Sequence, residues 1–163
     1  MFGRFFGKEK LKPLNKKHIK MLDESVNWIY LNAIKELRDN GYEHSPLNMS
    51  SEIKSAMIQY LFGVTLALEE DLKDTHQISD WAMDSRSKVL SLFLQDKDID
   101  RAKLEYSRML GKTEEHFACF LVGGANACRD FLSSKDKGQS PTVWLESYEG
   151  MFMASIRLFT SAN

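Results

Sequence analysis

Apolar residues recur every three or four positions along most of this chain. That spacing places them on one side of a helix rather than on one face of a strand. The first stripe is Ile19, Leu22, Val26, Ile29, Ala33 and Leu37, and Asn40-Gly41 behind it reads as a helix stop. Residues 41–49 include Pro46 and read as a loop. A second helix starts at Ser50 or Ser51, either of which can accept from free backbone amides. It carries Ile53, Met57, Leu61, Val64 and Leu68 on one stripe and Ile58, Phe62 and Leu66 on another, the pattern of a central helix covered on two sides.

Ser79 is a candidate N-cap for a third helix with Trp81, Val89, Leu90, Phe93 and Leu94. Asp98 is one for a fourth with Ile99, Ala102, Tyr106, Met109 and Leu110. A fifth opens at Thr113, where Glu114 and Glu115 suit the positive end of the helix dipole, and carries Phe117, Phe120, Leu121, Cys128, Phe131 and Leu132. The last follows Ser140-Pro141, a cap with proline at the first helical position, and its stripe is Leu145, Tyr148, Phe152, Ile156 and Phe159. No useful stretch alternates with period two, and Val, Ile and Thr total only 18 residues, too few for a sheet protein. The expectation is an all-α, single-domain bundle of five or six helices, packed largely antiparallel because the connections are short. At 163 residues the chain suffices for one domain and is short for two.

Charge divides this picture. Residues 1–20 hold seven basic residues against Glu9 alone, whereas the remainder has 15 basic and 22 acidic residues. The expected organisation is a basic arm over residues 1–14 and an acidic helical domain over 15–163. The arm adds aromatic residues to its charge, through Phe2, Arg4, Phe5, Phe6 and Lys8, a composition suited to weak contact with an anionic membrane surface or with a partner. An acidic body argues against sequence-specific nucleic-acid binding.

The uncharged runs 55–68 and 117–128 fall short of the ~20 residues that span a bilayer. The basic start is not followed by the apolar stretch of a secretory signal. Cys119 and Cys128 lie nine residues apart, on opposite sides of one helix, and cannot pair there. Two unpaired cysteines suit a reducing cytoplasm, the expected location.

Candidate chemistry thins out under inspection. Gly111-Lys112-Thr113 ends like a phosphate-binding loop, but Tyr106 stands where the first glycine belongs and no strand precedes it. Asp96, Asp98 and Asp100 open like a calcium loop, but Arg101 and Ser107 occupy the positions that need Gly and a bidentate Glu. Neither a cofactor motif nor a metal-ligand spacing survives, and Cys119 beside His116 sits in too apolar a run for a catalytic thiol. No catalytic residue is assigned. Gly123 and Gly124, with Cys119 and Ala127 nearby, form a small-residue face expected to touch another helix.

The sequence therefore points to a non-enzymatic binding module of regulatory or immunity type. Its partner would be a protein, of basic character, met by Glu69, Glu70, Asp71 and Asp74. One alternative is a small-molecule-binding helical protein, or an enzyme of unfamiliar type, with a pocket near His116, Asn126 and Tyr148. Another is a peripheral membrane protein held by its arm.

Overall fold

The computed structural model describes residues 10–110 and 115–161. Helix α1, Lys16–Asp39, starts where the Asn15 side chain accepts from the His18 amide at 2.9 Å. It stops at Asn40, after which Gly41 turns left-handed at φ 76°. There the Gly41 amide donates to the Arg38 carbonyl at 3.0 Å and the Tyr42 amide to the Leu37 carbonyl at 2.9 Å.

Helix α2, Ser51–Leu72, is capped by Ser50, whose Oγ accepts from the Ile53 amide at 3.3 Å. Residues 56–65 of α2 are all buried, so the helix with two apolar stripes is indeed the centre of the bundle. Around it stand α3 (Ser79–Phe93), α4 (Asp96–Leu110), α5 (Glu115–Asp136), α6 (Pro141–Ser147) and α7 (Met151–Ser161). The fold is an all-α bundle, with α2 and α5 as its main pair.

Glycine sets the distance between those two helices. A Cβ on Gly63 would collide with the Leu121 backbone, and one on Gly124 with the Tyr60 backbone. Position 60 meets 124 and position 63 meets 121, so α2 and α5 run antiparallel. Gly123, one residue earlier, faces α7 instead, where Ser155 Oγ occupies the space of a Cβ. Both glycines expected to touch a neighbouring helix do so, on two different neighbours.

Three local expectations change. The last predicted helix is two helices, because Tyr148 adopts an extended conformation at φ −75°, ψ 118° and α7 begins only at Met151. The four-residue step from Tyr148 to Phe152 imitates continuity, but a buried contact at Gly150 restarts the helix. At α3, Ile78 rather than Ser79 is the N-cap, without a side-chain bond, and its burial anchors the turn. Helix α4 starts at Asp96, ahead of the expected Asp98 cap, whose amide bonds the Gln95 carbonyl at 2.8 Å. The fifth helix is described from Glu115, and the Gly111-Lys112-Thr113 turn lies outside the described residues.

Two short strands join the chain start to the body. β1 (Lys12–Pro13) pairs in parallel with β2 (His76–Gln77), with Lys12 opposite His76. The Lys12 amide donates to the Thr75 carbonyl at 3.0 Å, and Leu14 packs against the core. A two-residue pairing is too short to show as alternation in sequence.

Candidate functional site

Positions 52, 55, 56 and 59 step by three, one and three, which puts Glu52, Ser55, Ala56 and Gln59 on one face of α2. The two middle side chains are small. Phe120 of α5 and Ile156 and Phe159 of α7 close over this thin stretch without filling it, leaving a groove of about 700 Å³. Pockets of 300–1,000 Å³ are the usual size for small organic ligands. The walls are mostly apolar, and the polar groups gather along the α2 side.

Gln59 is buried, and its Nε2 donates to Ser55 Oγ at 3.1 Å. Burial raises the Tyr106 phenol, and nearby Ser55 offsets part of that rise. The Gln59 carbonyl oxygen has no partner. Buried polar atoms are rarely left so, because each costs about 1–3 kcal/mol without a hydrogen bond. At the rim, Glu52 in the first turn of α2 is held below the usual carboxylate range by its own backbone amide and by the Ser50 and Ser51 side chains. The groove therefore has a buried amide side chain in its wall, a carboxylate at its rim and apolar surface between.

A second polar centre lies inside the bundle. Glu36 on α1 is buried, and its Oε2 accepts from the Met153 amide at 2.8 Å in the first turn of α7. Gly150 leaves room for this carboxyl group, since a Cβ there would overlap it unless the Glu36 side chain moved. Burial pushes the Glu36 carboxyl up to about 7, against the lowering effects of the Met153 amide, Lys35, the Phe152 amide and Arg157. Glu36 Oε1, both amide atoms of Asn32 and the Tyr60 hydroxyl have no partner. Burial also raises the Tyr60 phenol, with further contributions from Glu36, Tyr148 and Cys128.

The residues singled out from sequence disperse. Glu69 pairs with Arg86, and Glu70 pairs with Lys73. Glu70, Asp71 and Asp74 remain exposed. His76, next to that cluster, stands edge-on to His18 at 4.7 Å between ring centroids instead of facing the carboxylates. Among the described residues no group of three or more His, Cys, Asp or Glu could hold a metal ion.

Asn126 accepts from Arg129 at 3.1 Å, Tyr148 stacks on Trp144 at 4.6 Å, and neither lines the groove. The side chain of His116, and the arm residues Phe2, Arg4, Phe5, Phe6 and Lys8, lie outside the described residues. Cys119 and Cys128 are both free thiols, and burial pushes the Cys128 thiol up to about 12, far from a reactive thiolate. Among the described residues no helix is long and apolar enough to cross a membrane.

Sequence reading passed over Gln59 and Glu36 because each looks like an ordinary surface residue of an amphipathic helix. The usable signal at the groove was the pair Ser55 and Ala56, small residues on a face of a helix otherwise crowded with large ones. No protein-family model, no curated protein and no solved structure matches this chain.

Proposed function

We propose that this chain is a small-molecule-binding protein whose site is the groove between α2, α5 and α7, and that its ligand is an apolar amine. The observation that carries the reading is the unpartnered carbonyl oxygen of buried Gln59 in a groove with apolar walls. An ammonium group supplies donors for that oxygen and a charge opposite to the Glu52 carboxylate. Its hydrocarbon part covers Phe120 and Ile156. A carboxylate ligand brings acceptors only and meets Glu52 with like charge.

The test is titration of octylamine, octanol and octanoate, each below its aggregation limit, into methyl-labelled protein observed by NMR. The isoleucine methyls of Ile53 and Ile156 are the reporters. The expected order of affinity is amine, then alcohol, then acid. Gln59→Leu and Glu52→Gln should each reduce the preference for the amine by roughly tenfold, the worth of one charge-assisted bond. Octanoate binding as tightly as octylamine, or no shift at Ile53 and Ile156 with any of the three, would overturn the reading.

A basic protein partner is the second reading. It is favoured by the exposure of Glu70, Asp71 and Asp74 around the end of α2, where carboxylates oppose the helix dipole and gain from a cationic neighbour.

A further inference from the structure

Helix α7 is attached to the rest of the chain by a short non-helical link, 148–150. Its first turn is held from the side by a residue of α1. Met153 donates its amide to Glu36 Oε2, and Gly150 leaves room for the carboxyl group. The first amides of a helix have no partners of their own, so Glu36 takes the place of an N-cap supplied from another element. It does so in a buried position, beside two more side chains with unpartnered atoms: Asn32 one turn earlier on the same face of α1, and Tyr60 from α2.

We infer that Glu36 is a proton-operated latch on α7: with the carboxyl protonated the first turn of α7 stays docked on α1, and loss of the proton drives it off.

The groups around the carboxyl group set the direction. On α1 itself Lys35 is near, and on α7 Arg157 and the Phe152 and Met153 amides; all favour the ionised form. Tyr60 from α2 and Tyr148 from the link are neutral phenols whose own ionisation the carboxylate opposes. Burial outweighs the four favourable contributions, so the docked carboxyl holds its proton up to about pH 7. Once α7 lifts, water reaches the group and it behaves as an ordinary glutamate. The docked state therefore binds the proton more tightly than the lifted state. By linkage, each rise in pH between those two values favours lifting.

The protonated carboxyl also has a proton to offer an unpartnered neighbour. Its hydroxyl can donate to the Asn32 carbonyl oxygen while the other oxygen keeps the Met153 amide. The ionised form has no proton to donate there. The latch stands apart from the groove reading, although α7 also supplies Ile156 and Phe159 to the groove wall.

The test is hydrogen exchange at the Phe152 and Met153 amides, corrected for the intrinsic pH dependence of exchange, in the full chain at constant temperature. Opening should increase roughly tenfold between about pH 5.5 and about pH 7 in the wild type, as expected when opening releases close to one proton. In Glu36→Gln, which keeps the shape without the charge, the corrected opening should be flat over that range. An equal pH dependence in Glu36→Gln would overturn the latch. Should Glu36→Gln fail to fold, a carbon-13 titration of the Glu36 carboxyl in the wild type decides. A midpoint near 7 tracking the exchange supports the latch, and a midpoint in the ordinary glutamate range removes it.

Discussion

Alanine at Gly124 would put a methyl carbon into the Tyr60 carbonyl, and alanine at Gly63 would put one into the backbone of Leu121. Neither obstacle can rotate away, because both are main-chain atoms in central helices. Each substitution should therefore cost about 3 kcal/mol or more in chemical denaturation, the upper end for overpacking. Gly123→Ala meets the Ser155 hydroxyl, which can change rotamer, and should cost less than half as much. Equal losses at all three positions would show that the rigidity of the facing atoms does not set the cost, and a gain at any of them would show helix propensity winning over proximity. Of these glycines, Gly123 and Gly124 were legible in the sequence, because a gap in side-chain bulk inside an uncharged run has few other uses, whereas Gly63 was not. It did not reach Glu36, since nothing in a one-dimensional pattern tells which charged residue of α1 another helix will cover.

At the scale of elements, the stripes of α1 and α2 were legible because their apolar periods run uninterrupted for about four to five turns. The break between α6 and α7 was not. Tyr148, Phe152, Ile156 and Phe159 keep helical spacing across it, and the interruption depends on a contact with a residue more than a hundred positions away. That contact has a measurable cost. Glu36 has a folded-state value of about 7 against an ordinary 4.5, so the native state binds the proton more tightly than the unfolded state. Its stabilising contribution is complete below about pH 4.5 and is lost as pH rises through about 7. The loss amounts to about 3 kcal/mol over that window. Denaturation midpoints taken across the window should fall less steeply in Glu36→Gln than in the wild type. Parallel curves would show that the carboxyl is not desolvated in solution.

For the molecule as a whole, composition and periodicity led directly to a helical bundle, since burying one face of each amphipathic helix leaves few other arrangements. The groove was not legible in that way. It arises where Ser55 and Ala56 are met by side chains from two helices far along the chain, and a sequence pattern carries no record of which faces meet. The acidic patch was legible as charge but not as pairing. Two of its four residues, Glu69 and Glu70, are engaged by Arg86 and Lys73, which leaves Asp71 and Asp74 as the carboxylates open to a partner.

The pairing of β1 with β2 has a further effect on that patch. It fastens Lys12 beside Thr75, one residue past Asp74, so the basic start of the chain is tethered next to the acidic end of α2. A group on a short flexible tether that can span the distance competes at an effective concentration on the order of millimolar. Basic residues so tethered would rival a cationic visitor to Asp71 and Asp74. Removing residues 1–9 should tighten binding of an oligolysine peptide at low ionic strength, and Asp71→Asn with Asp74→Asn should abolish the gain. Unchanged affinity on truncation would mean that Arg4 and Lys8 exert no hold on that surface. Where the rivalry holds, salt acts on both contenders at once. The visitor's measured affinity then depends on ionic strength less steeply than its own charge would dictate.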